Sequence, residues 1–347
     1  MKRCISILAI LAMTMTLLVG CAVAKTEGND KAMQENIVLT ETGEVLIKEQ
    51  PTVEPEEKEE VNDLPLTEDN DAVQEHISIG DVEIDVPDLE EEVVEQEPIE
   101  ASGSELQIVF LGDSIFDSHR DGTGIPYLTA VQCDADVYNL AIGGTSATLE
   151  MGEQNESEAW TSRSLVGVVK AMKGEIPTDI FKNDNAKRIL DDPNADFSKT
   201  DYFVIEYGIN DFFRAVPLDN LDATFDCHTY VGALRYAVSN LRELAPDATI
   251  ILCSPHYCQF FNGNQYIGDG NVLNNGYGTL FDYKGKCLYV AREQQTESLD
   301  AYFDLGIDGY TAKDYLEDGV HLTEEGRQLY ADALAKKILR IEETKNN

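Results

Sequence analysis

Serine, histidine and aspartate together can turn a hydroxyl group into a nucleophile, and this chain of 347 residues holds one set that suits that chemistry. Ser114 is the third residue after the apolar run from Leu106 to Leu111, so we expect it at the end of a buried strand. A serine there reacts only if a base takes its proton. His321 is the candidate base, because Asp318 can hold one imidazole nitrogen and leave the other free. If these residues do not act together, Ser114 is expected to be a helix cap, and Asp318 and His321 are expected to be a pair on the surface before a helix.

Four short blocks contain these residues, and each lies at the predicted end of a strand or before the last helix. They read Gly112-Asp113-Ser114, Asn139-Leu140-Ala141-Ile142-Gly143-Gly144, Gly208-Ile209-Asn210-Asp211 and Asp318-Gly319-Val320-His321. One Gly-Asp-Ser tripeptide is common by chance, but four ordered blocks spanning a domain are specific. In these blocks the sequence resembles the SGNH (GDSL) hydrolase family. The resemblance implies a serine hydrolase of ester bonds with Ser114, Asp318 and His321 as its catalytic triad.

Ester hydrolysis also requires hydrogen-bond donors for the oxyanion of the tetrahedral intermediate. The resemblance implies that the backbone N–H groups of Ser114 and Gly144 and the side-chain amide of Asn210 form this oxyanion hole. Glycine suits such a position because it lets the backbone approach a substrate closely. Gly143 is a less favoured alternative, since the family's spacing falls on the second glycine.

Two aspartates adjoin these residues without an expected catalytic role. Asp113 precedes Ser114, and Asp211 follows Asn210. Short acidic side chains in turns commonly accept hydrogen bonds from nearby backbone N–H groups. We therefore expect both to hold loops in place.

The elements that position the blocks are predicted from apolar periodicity. Continuous apolar runs indicate parallel strands buried on both faces, and they occur at Leu106 to Leu111, Val137 to Ile142, Tyr202 to Tyr207, Thr249 to Cys253 and, weakly, Tyr302 to Leu305. Helix-period segments separate or follow them from Leu165 to Met172, from Tyr230 to Ala245 and from Thr323 onward. The alternation predicts a three-layer α/β/α fold with an open, doubly wound, mostly parallel sheet of the flavodoxin-like type over residues 105–347. Such sheets bind ligands at the carboxyl ends of their strands.

The N-terminus is predicted to be an export signal. Basic residues precede an apolar run from Ile5 to Val19, which is shorter than the ~20 residues of a membrane-spanning helix. The run ends Leu18-Val19-Gly20-Cys21, which resembles the bacterial lipobox. Residues 1–20 are therefore interpreted as a lipoprotein signal peptide, and Cys21 as the lipidated residue that anchors the protein on the extracytoplasmic face of the bacterial cell membrane. The alternative is a plain secretory signal with a chance cysteine.

Residues 21–104 are predicted to form an acidic, largely disordered linker. The chain has a formal net charge of -39, and the stretch from Ala22 to Ser104, with about 26 acids and four bases and no aromatic residue, carries over half of it. Two patches, Ile37 to Ile47 and Ile77 to Val86, could form small hairpins. The acidic balance argues against nucleic acid as a partner.

No metal or cofactor site is predicted. Cys253, His256 and Cys258 are possible soft ligands, but no fourth ligand is evident nearby, so structural cysteines are the favoured interpretation. A disulfide between Cys258 and Cys287 remains open. The cysteines of the predicted domain are Cys133, Cys227, Cys253, Cys258 and Cys287, so at least one is unpaired in a monomer.

Substrate recognition is expected in the segment from His256 to Tyr283, which follows the fourth strand and mixes glycine, asparagine and aromatic residues. Long ordered loops at that edge of a sheet are commonly functional. Its aromatic residues, among them four that we single out, suit sugars and acyl groups alike: Phe260, Phe261, Tyr266 and Tyr277. A disordered insertion is the alternative.

These observations favour a surface-anchored serine esterase that hydrolyses O-acyl esters through an acyl-enzyme on Ser114. The expected partners are an acylated small-molecule or polysaccharide substrate, such as an O-acetylated carbohydrate, and the membrane through Cys21. The alternatives are a lipase, thioesterase or acyltransferase with the same site, and a catalytically silent binding lipoprotein. Trp160 is the single tryptophan, which argues against the silent binder, because carbohydrate-binding platforms usually expose several large aromatic residues.

Overall fold

The computed structural model describes residues 106–149, 162–182 and 184–345, and the backbone of four short strands closer to the N-terminus. In the unit formed by residues 1–69, β1 (Val38–Leu39) pairs with β2 (Val45–Leu46). In the unit formed by residues 70–347, β3 (His76–Ile79) pairs with β4 (Val82–Asp85). Both hairpins occur at the predicted patches. The signal peptide, Cys21, Trp160 and the rest of the acidic segment lie outside the described residues.

Seven strands follow. They are β5 (Leu106–Gly112), β6 (Ala135–Asn139), β7 (Tyr202–Glu206), β8 (Thr249–Cys253), β9 (Gln259–Asn262), β10 (Gln265–Asp269) and β11 (Glu297–Leu299). Five of them form a sheet in the order β11-β8-β7-β5-β6, in which every neighbouring pair is parallel. Counted along the chain this is the order 2-1-3-4-5 of flavodoxin-like sheets. The predicted doubly wound parallel sheet is confirmed.

Ten α-helices lie in the described part of the chain. They are α1 (Ser114–Asp117), α2 (Ile125–Cys133), α3 (Leu165–Met172), α4 (Asn185–Leu190), α5 (Ile209–Phe213), α6 (Tyr230–Leu244), α7 (Leu280–Gln294), α8 (Ala301–Asp304), α9 (Ala312–Tyr315) and α10 (Glu324–Lys345). Helix α2 packs on α10, while α6 packs on α3 and α7. Right-handed crossovers place these two groups on opposite faces of the sheet, which gives the three layers. None of the described helices is both long and apolar enough to cross a bilayer.

Two strand predictions need correction. Tyr302 to Leu305 forms α8 instead of the fifth strand, because the carbonyl of Asp300 accepts N–H groups of the following turn and Tyr302 packs its ring against Phe281. The fifth strand is β11, an edge strand only partly buried, so its sequence has no continuous apolar run. The second strand begins and ends earlier than predicted, at Ala135–Asn139.

The segment from His256 to Tyr283 is ordered, which resolves the alternative of a disordered insertion. It forms the antiparallel β9–β10 hairpin and then enters α7. A reciprocal pair of hydrogen bonds between Thr279 and Asp282 caps α7 at its start. The predicted substrate segment is therefore a structured layer over the carboxyl edge of the sheet.

Candidate active site

The side chains of Ser114, His321 and Asp318 form one hydrogen-bonded chain. Ser114 Oγ lies 3.0 Å from His321 Nε2, and His321 Nδ1 lies 2.6 Å from Asp318 Oδ2. Because the carboxylate can only accept, Nδ1 of the neutral imidazole carries the proton and Nε2 is free to accept the hydroxyl proton. Ser114 and His321 are 7% and 8% exposed, so bulk water is largely excluded. The arrangement can deprotonate the serine as it attacks an electrophilic carbon.

The turn that carries His321 is built around the carboxylate of Asp318. Its Oδ1 accepts the backbone N–H groups of Val320 at 2.8 Å and His321 at 2.7 Å, while Oδ2 binds the imidazole. Burial raises the pKa of Asp318, but the hydrogen bonds from His321 and Val320 outweigh it and hold the pKa below its usual value. The carboxylate therefore stays ionised and fixes the tautomer of the imidazole.

His256, which is fully buried after β8, supports the same turn. Its Nε2 donates a hydrogen bond to the carbonyl oxygen of Val320 at 2.8 Å. Burial lowers the pKa of His256 to about 4, so the ring is neutral. The sequence suggested His256 only as a weak metal ligand. Its supporting contact was not predicted, because the partner lies 64 residues away and no local pattern reveals it.

Asp113 is the residue that joins β5 to Ser114. Its Oδ1 accepts the Ile115 N–H at 3.0 Å and so caps α1, the helix that begins with Ser114. The N–H of Ser114 forms no hydrogen bond with the part of the chain that the structure describes. That N–H is free to bind a substrate oxygen.

Asn210 reaches the site from the end of β7. The turn needs Gly208, whose φ is +133° and where an added Cβ would lie 2.7 Å from Pro255 Cγ. Asn210 Nδ2 donates to Asp113 Oδ2 at 3.1 Å. An amide NH₂ has two protons, so one binds this carboxylate and the other remains for a ligand next to Ser114.

The two adjacent glycines after β6 have different environments. The N–H of Gly143 donates to Asp117 Oδ2 at 2.7 Å and is thereby occupied. Gly144 has φ +67°, its carbonyl accepts from Arg214 at 2.8 Å, and its N–H has no partner among the described residues. This geometry favours Gly144 over Gly143 as the oxyanion donor. An added Cβ on Gly143 would lie 3.9 Å from Ser114 Cβ, so the loop borders the serine.

Arg120 and Asp211 hold the backbone that precedes and follows these two glycines through hydrogen bonds. Arg120 donates to the carbonyl oxygens of Asn139 at 3.0 Å and Ala141 at 2.7 Å and pairs with Asp117. Asp211, fully buried, accepts the backbone N–H of Ala147 at 3.0 Å and both donors of the next threonine. Together with the cap formed by Asp113, this confirms that both predicted aspartates hold loops. The role of Arg120 was not predicted, since a single arginine in a polar stretch carries no local signal.

The cysteines of the described domain lie in its interior, and Cys258 Sγ is 3.8 Å from Nε2 of His256. All five in the described domain are buried free thiols, so the possible disulfide between Cys258 and Cys287 is not formed. Burial raises the pKa of Cys133 to about 11. Within the described ranges, no group of histidine, cysteine and acidic side chains is arranged to hold a metal ion.

A cavity of about 560 Å³ lies beside the turn that carries Asp318. It is walled by α5, the β9–β10 hairpin and α9, and its lining includes Phe213, Gln259, Phe261 and Asn264. Phe260 also contributes, as expected for the predicted substrate segment. Tyr266 and Tyr277, which the sequence analysis also singled out in that segment, are exposed and do not line the cavity.

Comparison with known proteins identifies the family and the class of activity. The model of the GDSL-like lipase/acylhydrolase family matches residues 110–329, the span from β5 to α10. The isoamyl acetate-hydrolyzing esterase 1 homolog of Bos taurus is 26% identical over 235 residues, covering 66% of this chain and 80% of that protein; the Mus musculus homolog is 24% identical over 238 residues, with the same coverage. A crystal structure with 20% identity and a TM-score of 0.51 covers 68% of this chain and 96% of its own, and shares the fold. The chain belongs to the GDSL-like lipase/acylhydrolase family and is a carboxylic ester hydrolase.

Proposed function

We propose that Ser114 is the nucleophile of this esterase, His321 its general base and acid, and Asp318 the group that orients His321. Ser114 Oγ attacks the ester carbonyl carbon while its proton passes to His321 Nε2. The tetrahedral intermediate then collapses, and the leaving alcohol takes that proton. Water attacks the resulting acyl-enzyme by the same route and releases the acid. The observation that carries this proposal is the unbroken hydrogen-bonded chain from Oγ to the Asp318 carboxylate.

The oxyanion of the intermediate would be bound by the N–H groups of Ser114 and Gly144 and by Nδ2 of Asn210. These groups lie in the segments that follow β5, β6 and β7, and each has a proton that no described residue takes up. Donors fixed before the reaction stabilise developing charge without further reorganisation. Asp113 holds Asn210 in place by accepting a hydrogen bond from its amide, and Asp117 holds Gly143, the residue before Gly144.

For the substrate we propose a short O-acyl ester, with O-acetyl carbohydrate as the favoured class. The cavity beside Asp318 combines aromatic side chains with the amides of Gln259 and Asn264, a lining that suits a hydroxyl-rich ligand. The bovine relative is named for acetate ester hydrolysis, which supports acetyl as the acyl group.

We also propose that the enzyme is held at the outer face of a bacterial membrane by lipid at Cys21, with residues 21–104 as the acidic spacer. The support is the sequence alone: a short apolar run, the Leu18-Val19-Gly20-Cys21 ending and the acidic composition that follows. Two or more acyl chains would suffice for stable anchoring.

The Ser114→Ala variant is expected to lose ester hydrolysis by a factor of ~10⁶ in kcat while remaining folded, because only the oxyanion hole would remain. His321→Ala should lose as much, and the double variant little more, since the residues act as a unit. Turnover of a chromogenic acetyl ester and circular dichroism measure these changes. Ser198→Ala, at an exposed serine, is the control. An active Ser114→Ala protein would refute the mechanism.

The Asn210→Ala variant should lower kcat by ~10² to 10³ with little change in KM, since the lost donor acts chiefly in the transition state. Steady-state kinetics on the same ester provide the measurement, with the exposed Asn194→Ala as control. A raised KM with unchanged kcat would mean that Asn210 binds the ground-state substrate instead.

Acetyl esters should be the best substrates in a chromogenic series of increasing acyl length, with kcat/KM falling as the chain grows. Acetylated polysaccharide should release acetate under the same conditions, measured by acetate assay. A maximum at long acyl chains and no acetate release would replace the proposed substrate class with lipids.

Replacing Cys21 by serine should prevent anchoring without affecting the catalytic domain. The wild-type protein expressed in a bacterium should partition into the detergent phase and incorporate labelled fatty acid, and Cys21→Ser should do neither. Cys4→Ser is the matched control. Equal partitioning of wild type and Cys21→Ser into the aqueous phase would remove the anchor from the account.

A further inference from the structure

Glu206 is a buried acid that neither the triad nor the oxyanion hole uses. It is the last residue of β7, paired in register with Gly112 of β5 and Cys253 of β8, and its side chain is completely inaccessible. Among the described residues, no N–H or O–H donor reaches either of its carboxyl oxygens. An ionised carboxylate in that position would be left without any compensation.

The groups around Glu206 do not favour a charge there. The titratable groups that interact with it electrostatically are acids, phenols and thiols, with no cation among them in the described structure: Asp113, Tyr207, Asp211, Tyr230, Cys253, Cys258, Cys287 and Tyr330. Burial raises the pKa of Glu206 well above its usual value, and the neighbouring Asp113 raises it further. Glu206 therefore keeps its proton at neutral pH, and its O–H needs an acceptor.

The candidate acceptor is Asp113, because it directly follows Gly112, the β5 residue paired in register with Glu206, and both carboxyl groups are completely buried. The two carboxyl groups also influence each other electrostatically. Two carboxyl groups can share a hydrogen bond only if one of them carries the proton. Asp113 already accepts hydrogen bonds from Ile115 N–H and Asn210 Nδ2, and these favour its ionised form. The proton of the pair therefore belongs to Glu206, and Asp113 is the acceptor of all three bonds.

We propose that Glu206 is a positioning residue: its protonated carboxyl group donates to Asp113 and thereby holds Asp113 in the orientation that fixes the Asn210 amide. The proposal rests on the proposed role of Asn210 in the oxyanion hole. Glu206 touches no substrate and acts through Asp113. Because Glu206 is paired with Gly112, the residue that precedes Asp113, one buried hydrogen bond would align both the helix cap and an oxyanion donor.

The kinetic test compares two substitutions of similar size at Glu206. Glu206→Gln keeps a donor towards Asp113 and should retain kcat within about twofold, whereas Glu206→Met has none and should lower kcat by ~10-fold with KM unchanged, as expected for a misaligned transition-state donor. In the Asn210→Ala background, Glu206→Met should have almost no further effect, because the two residues act in series. Equal losses of kcat for Glu206→Gln and Glu206→Met would overturn the proposal. So would additive effects on kcat when Glu206→Met is combined with Asn210→Ala. Unchanged kcat for Asn210→Ala alone would instead refute the proposed oxyanion hole.

A second readout needs no activity and survives if Glu206→Met fails to fold. Glu206 is ionised in the unfolded chain above pH ~5, so folding must take up one proton, and wild-type stability should fall as pH rises towards the raised folded pKa. The folding of the Glu206→Gln variant takes up no proton at this position. The ratio of the wild-type to the variant unfolding constant should thus increase with pH above pH ~5, by up to about tenfold per pH unit, in denaturant titrations. The exposed Glu325→Gln control should give a constant ratio. A constant ratio for Glu206→Gln would mean that Glu206 is ionised in the folded protein, which contradicts the proposal.

Discussion

A carboxylate removed from water must be surrounded by hydrogen-bond donors, and at the carboxyl edge of this sheet that requirement determines where the loops lie. Asp113 caps α1 and accepts a hydrogen bond from the Asn210 amide, and Asp117 accepts one from the Gly143 N–H. Asp211 accepts the N–H of Ala147, and Asp318 accepts backbone N–H groups of the turn before α10. Asp113, Asp117 and Asp211 each join two different segments at this edge, and Asp318 holds its own turn. The groups proposed to meet the substrate are thus positioned by acids of which only Asp318 touches a reacting side chain.

The strand order makes these contacts possible. In a 2-1-3-4-5 sheet the first and third strands lie side by side, and the connections that leave them diverge to opposite faces. Ser114 and Asn210 follow those two strands, so Asp113 can bind the Asn210 amide directly across the resulting crevice. His321 arrives from a distant part of the sequence on the turn before α10, which packs on α2. The site therefore depends on the closure of the whole domain, although its residues come from short local blocks.

The sequence predicted the parts that depend on local spacing. Asp318 and His321 lie one turn apart, and Ser114 follows a buried apolar run, so their chemistry could be inferred before the fold was known. The contacts of Glu206 and His256 could not, because a buried acid or histidine looks like its surface counterpart until its neighbours are known. The same limit explains the error at Tyr302, where aromatic packing favours a helix over the strand that the apolar run indicated.

The central claim, that Ser114 is the nucleophile activated by His321, is tested most directly by covalent trapping. A phosphonate ester that reacts with activated serines should add once to the native protein, and peptide mass spectrometry should locate the adduct on Ser114. The His321→Ala variant should remain unlabelled on the same timescale, because its serine lacks the base. An adduct on any other residue, or equal labelling of Ser114 in the His321→Ala variant, would contradict the account.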